Sequence, residues 1–163
     1  MQKIPMRKTQ REITDPAQIE DILRQAQVLR LAMCRDGQPY VVPLSFAYHA
    51  GHIYVHTGRV GLKMDFLRAN PKVCFEVSLD TRPAPGPRPC AWNCFYRSVI
   101  GFGRAVELED EQERSQGLLA IVAHYAGPGE HELTPESLGR TAVLRIDIES
   151  LTGKQNLEPP AGA

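Results

Sequence analysis

Two turn signals, Asp36-Gly37 and Ala50-Gly51, cut residues 28–57 into three short strand-like segments rich in apolar residues, at 28–35, 39–48 and 52–57. Asp-Gly between two such segments is a strong short-range hairpin signal, because the turn needs positive φ at its central residues. Hairpins in succession commit a chain to antiparallel pairing, since parallel neighbours need a crossover of a dozen or more residues. Further strand-like segments lie at 72–79, 95–109 and 141–148. Six antiparallel strands in a chain of 163 residues close most naturally into a small barrel, which removes their edges. The expected fold class is therefore mainly β with helices, as a six-stranded antiparallel barrel.

Helices fit between these strands. Asp15 is a candidate N-cap, with Pro16 at the first helical position and Gln18 completing a capping box. Ile19, Ile22, Leu23 and Ala26 then form one apolar face. A short helix over 60–69 ends at Asn70-Pro71, and a longer one over 111–125 stops at Gly127-Pro128-Gly129. Thr134-Pro135-Glu136 starts one more turn. Four prolines between Arg82 and Pro89 make an extended loop. Gly101 and Gly103 inside the long strand signal a bend, a bulge or the close approach of another backbone. Residues 1–13 read as a polar arm, 14–152 as one domain and 153–163 as a mobile tail.

Net charge is zero, which gives no support to a nucleic-acid or anionic-membrane partner. No apolar run reaches the length of a membrane span, and the first residues lack the apolar centre of a signal peptide. A cytoplasmic protein is the expectation. Cys34 and Cys74 sit in apolar strand-like runs and read as small hydrophobes. Cys90 and Cys94 form a Cys-x-x-x-Cys pair in a loop, with zinc or redox chemistry as the alternatives to two inert thiols. No second close Cys/His pair accompanies them, and no metal site is expected.

The stretch His56-Thr57-Gly58-Arg59-Val60-Gly61-Leu62-Lys63 follows a strand and runs into a helix start. A hydroxyl, free N–H groups, the positive end of the helix dipole and one lysine meet there, which is the chemistry of a phosphate cradle. It is not a P-loop, because no Gly-x-x-x-x-Gly-Lys-Ser/Thr run exists. Hydrolase and Rossmann motifs are also missing: Gly101-Phe102-Gly103 lies mid-strand without a third glycine.

Five motifs in this order resemble one family. They are Met6-Arg7-Lys8 with residues 11–15, Asp36 to Leu44, His56-Thr57-Gly58 with Gly61 and Lys63, Asn70 to Val77, and Tyr96 to Gly103. Together they resemble the pyridoxamine 5'-phosphate oxidase-like FMN-binding split barrels, nearest the 5-nitroimidazole-resistance group. The resemblance implies a homodimer with FMN at the subunit interface. It implies that Thr57 and Lys63 contact the phosphate and ribityl end, with His56, Gly58, Gly61 and Leu62 also among the cofactor-binding residues. The backbone of Val42, Pro43 and Leu44 would run beside the flavin ring, and Ser98 would lie near the phosphate or ribityl chain. FAD in place of FMN is compatible with it. The chain ends without the arginine- and histidine-bearing segment by which the oxidase grips pyridoxamine phosphate, so vitamin B6 oxidation is not expected.

His56 beside the cradle is the candidate catalytic proton donor, since imidazole titrates near neutrality; its alternative is a structural histidine. Trp92, Phe95 and Tyr96 read either as a lid on the core or as cover for a flavin face. His49, His52, His124 and His131 read as surface residues. The function expected is an FMN-dependent reductase of small electron-poor substrates. The alternative is a flavin- or haem-binding carrier or sensor, with His56 or His124 as axial ligand, and an empty barrel is the third reading.

Overall fold

The computed structural model describes residues 6–127 and 129–158. Its chain order is β1 (Glu12–Ile13), α1 (Pro16–Gln25), β2 (Leu29–Arg35), β3 (Gln38–Leu44), β4 (Phe46–His49), β5 (His52–Gly58), α2 (Leu62–Ala69), β6 (Lys72–Ala84), β7 (Asn93–Glu107), α3 (Glu111–Ala126), α4 (Pro135–Arg140) and β8 (Thr141–Asn156). Short 3-10 turns precede β1 and β7. Both predicted hairpin turns form, with φ of 52° and 78° at Asp36 and Gly37 and 50° and 81° at Ala50 and Gly51.

All eight strands belong to one antiparallel sheet, ordered β3-β2-β6-β7-β8-β5-β4, with β1 added on β8. This corrects the expected six strands and the expected closure. The segment 39–48 breaks at Ser45 into β3 and β4, which become the two ends of the sheet. They are adjacent in sequence yet not hydrogen-bonded to each other, so the barrel stays split. Pro39 and Pro43 lie in β3, an edge strand, where a missing N–H costs least.

The eighth strand corrects the expected tail. It runs to Asn156 and pairs with β7 along its length, with β5 through Thr141–Asp147, and with β1 through Gly153 and Lys154. Residues 12–13 of the expected arm are likewise drawn into the sheet, and Ile13 is buried. Residues 1–5 and 159–163 of the arm and tail lie outside the described residues.

The core fills the inside of the curled sheet. Leu31, Phe75, Val77, Val99, Leu144 and Ile146 meet Ile22, Leu23 and Ala26 of α1 and Met64, Phe66 and Leu67 of α2 there. Asp15 caps α1, its carboxylate accepting from Ala17 N at 2.9 Å. Both strand glycines allow close approach, as their spacing suggests, and a bulge separates Phe102 from Gly103. On the opposite face, α3 covers β4, β5 and β8, with Gly117 against the Tyr54 ring. No helix among the described residues is long and apolar enough to cross a membrane.

Candidate functional site

Ile53 and Val55 of β5 point into the core and are fully buried. Strand alternation puts Thr57 on that same face, half-buried and opposite the core residue Ala142. After Gly58 the chain turns through Arg59 and Val60, and Gly61 enters α2 as its N-cap with φ 121°. Few side chains tolerate that φ. Glycine there also leaves the first helical N–H groups without a capping side chain. Lys63 follows two residues on, half-buried, and burial pushes its amine below the ordinary lysine range. Among the described residues it makes no hydrogen bond or ion pair. An uncapped helix start and a desolvated, unpaired cation both favour an anion at one place.

The strand β3 belongs to the same neighbourhood. Val42 and Leu44 pack against the core cluster that contains Val55, Met64 and Phe66, and Pro43 is exposed. The Tyr40 and Phe66 rings lie 5.3 Å apart, which seats α2 beside β3. Val60 and Leu62, on either side of Gly61, are 85% and 52% exposed, so the turn carries two large apolar side chains out of the fold.

Two predicted site residues are not brought there within one chain. Ser98 pairs with Lys154, at the far end of β8 from Ala142, and its hydroxyl donates to the Lys154 carbonyl at 3.4 Å. His56 alternates to the other face of β5, where it lies exposed beside Val143 of the α3-covered side. Proton delivery from His56 to a ligand held by Thr57 is therefore not supported by the geometry of one chain.

Of the other histidines, His49 is exposed as expected, while His52, His124 and His131 are half-buried. His124 Nε2 donates to the Ala26 carbonyl at 2.9 Å, which engages one of the two ring nitrogens a metal could take. His131 makes a similar bond to the Gly127 carbonyl at 3.1 Å, and His52 Nδ1 lies 3.1 Å from Asp147 Oδ1. In the proline-rich loop, Trp92 is 57% exposed, while Phe95 lies beneath the Arg82 guanidinium. The four cysteines are free thiols.

Sequence reasoning passed over Arg59, Arg68 and Glu107, which shape the turn. Arg68 Nε and Nη2 donate to the two Glu107 oxygens, each at 3.0 Å, and Nη2 also donates to the Arg59 carbonyl at 3.1 Å. Arg59 Nε in turn donates to the Gly139 carbonyl of α4 at 2.8 Å. The sequence carried no signal for a pairing between residues 39 positions apart; only Arg59, inside the cradle, could have drawn notice.

A second feature sits on the outer face of the sheet. Val41, Ala32, Cys74 and Phe102 are in register across β3, β2, β6 and β7, with Ile100 on the same face in the next row. No described helix packs over this row, and Val41 and Ile100 are 59% and 44% exposed.

Comparison with known proteins agrees with this architecture. Residues 15–155 match the family model described as pyridoxamine 5'-phosphate oxidase. An uncharacterized protein of Rhizobium meliloti is 26% identical over 144 residues, covering 83% of this chain and 88% of that protein. The crystal structure of a candidate 5-nitroimidazole antibiotic resistance protein from Bacteroides thetaiotaomicron superposes with a TM-score of 0.78 at 28% identity, covering 88% of this chain and 85% of that one. An FAD-binding protein from Mesorhizobium loti gives a TM-score of 0.64 at 29% identity, covering 90% and 98%. With the split sheet, the order of motifs and a match that spans nearly the whole described chain, the protein belongs to the pyridoxamine 5'-phosphate oxidase family.

Proposed function

We propose that this chain is a homodimeric flavoprotein that holds FMN at the turn between β5 and α2 and reduces small, planar, electron-poor substrates of the nitroimidazole kind. The observation that carries the reading is Lys63. Its desolvated, unpaired amine stands two residues from the Gly61 N-cap, and a phosphate would supply the charge that both lack. Thr57 offers a hydroxyl from the core-facing side of β5, and the β3 backbone at Val42–Leu44 offers an edge for a ring to lie along. The flavin, when bound, supplies the two-electron chemistry. The protein's part is to bind it, to orient it and to keep water from it.

Two further observations favour parts of the reading. The relatives from Bacteroides thetaiotaomicron and Mesorhizobium loti are named for nitroimidazole resistance and FAD binding, which points toward flavin and reduction. The uncovered row Val41, Ala32, Cys74 and Phe102 is a flat apolar surface of the type two copies bury between them. A cytoplasmic location accords with four free thiols.

The test is the visible spectrum and oligomeric state of the purified protein after FMN addition and gel filtration. We expect flavin bands that co-elute with a dimer, and FMN rather than FAD on release of the chromophore. A Soret band, or a colourless monomer, overturns the proposal. His56→Ala should then leave FMN affinity within about twofold, because its side chain faces away from Thr57. If that variant keeps its flavin spectrum but loses nitroaromatic reduction, the proton-donor role returns to His56.

A further inference from the structure

The turn that forms the cradle has no regular hydrogen-bonding of its own between Gly58 and Gly61. Its shape must come from contacts made by side chains. Three elements supply them. Glu107, at the end of β7, receives Arg68 of α2 through a two-pronged pair, with both N–H···O distances 3.0 Å. A guanidinium held at two points has its remaining donors fixed in direction. One of those donors meets the Arg59 carbonyl at 3.1 Å, in the middle of the turn. The Arg59 side chain then reaches away to the Gly139 carbonyl of α4, and α4 is itself held by Arg114 of α3, which donates to the Leu138 carbonyl and, at 2.9 Å, to that of Thr141.

The pair is half-exposed, with Arg68 50% and Glu107 32% accessible. Surface ion pairs contribute little to global stability. Two strong bonds to Glu107 and one to a turn carbonyl make geometric sense if the function of the pair is local: to fix where the turn's backbone lies. That backbone leads directly into Gly61 and the uncapped N–H groups at the start of α2, two residues before Lys63.

We propose that Arg68, oriented by Glu107, is the positioning residue that sets the shape of the phosphate cradle, acting on the ligand through the Arg59 carbonyl rather than by contact. In its ligand arm this rests on the flavin reading above; in its backbone arm it does not. Lysine at position 68 keeps the charge opposite Glu107 but cannot hold both carboxylate oxygens and the Arg59 carbonyl at once. Arg59→Ala is the control, because it keeps the carbonyl that Arg68 needs and removes only the link to α4.

The experiment has two readouts on wild type, Arg68→Lys, Glu107→Gln and Arg59→Ala. The first is amide hydrogen exchange of the unliganded proteins. Arg68→Lys and Glu107→Gln should speed exchange at residues 59–63 by about tenfold or more, with the β7 and β8 amides unchanged, and Arg59→Ala should have a smaller effect. The second is titration with FMN and with riboflavin, which lacks the phosphate. Arg68→Lys should weaken FMN about tenfold and leave riboflavin within about twofold. Unchanged exchange at residues 59–63 overturns the positioning role, whatever the ligand. Equal losses for FMN and riboflavin overturn it as a phosphate-specific effect. A wild-type protein that binds neither flavin, but whose turn loosens in Arg68→Lys, refutes the flavin reading and leaves the positioning of the backbone standing.

Discussion

Lys63→Ala should cost the protein its grip on FMN, on the order of a hundredfold in affinity, and leave riboflavin nearly unchanged. A charge-assisted bond to a phosphate contributes about 1.5–3 kcal/mol, which is roughly ten- to more than a hundredfold. The upper part of that range applies because the amine is half-buried and has no competing acid among the described residues. The same burial makes a pH signature. Folding lowers the Lys63 pKa below its unfolded value, so between the two the unfolded chain binds more protons. Stability of the unliganded protein therefore rises with pH through that window, as the desolvated charge is lost. Flavin binding runs the other way: phosphate favours the ammonium form, so FMN affinity should fall as pH climbs through the folded lysine's pKa. Isothermal titration with FMN and riboflavin across neutral and alkaline pH, on wild type and Lys63→Ala, checks both. An alkaline fall in FMN affinity that persists in Lys63→Ala would place the anion's partner elsewhere.

The largest loss of stability is expected from Gly101→Ala. A β-carbon at that position would lie 2.1 Å from Cζ of Phe75 and 2.6 Å from both neighbouring ring carbons. Phe75 is fully buried in the centre of the sheet, so the ring has nowhere to go without disturbing Val77 and Val99. Overpacking of this kind costs about 1–3 kcal/mol, occasionally more, and a clash this deep belongs at the top of that range. For a domain of this size the loss corresponds to a fall in Tm of roughly 10 °C. Phe75→Leu should destabilise wild type by leaving a cavity yet partly rescue Gly101→Ala. A double-mutant cycle followed by thermal denaturation measures that coupling. Simple additivity of the two changes would mean that the ring and the glycine do not share the space the structure gives them.

Local signals were the legible ones. Asp36-Gly37 and Ala50-Gly51 announce their hairpins because only a few residue pairs take positive φ in sequence, and Asp15-Pro16 announces α1 because the cap is satisfied within its own turn. The residues of the proposed cradle are equally local: Thr57, Gly61 and Lys63 lie within seven residues of one another. What was missed depends on distant partners. Ser45 interrupts a largely apolar run that carries no turn signal in sequence, and only the sheet order shows that β3 and β4 are separate strands at its two ends. The end of β8, from residue 153, was read as a tail, and Lys154, Gln155 and Asn156 are polar. It is a strand because Gly153 lets Ile13 and Ile19 pack against its backbone, where a β-carbon would meet them at 2.8 and 2.9 Å. His56 was read as part of the cradle by its place in the chain; one step of strand alternation turns it to the other face. Arg68 and Glu107 are ordinary charged residues until β7 and α2 are side by side.

The position of β8 has a consequence for how the molecule is made. It is the last of the described strands in chain order, yet it lies near the middle of the sheet and is the shared neighbour of β7, β5 and β1. Its pairing of Gly153 with Ile13 joins residues 140 positions apart. Contacts of such separation require loop closure before they return any stabilisation, which slows folding. A chain still emerging from the ribosome would hold β5 and β7 with open edges facing each other across a missing strand, and such edges are templates for mispairing with other chains. The sheet is thus completed only after residues up to Asn156 have emerged, and the end of β5 gains its partners Thr141 and Ala142 only once β8 begins to pair.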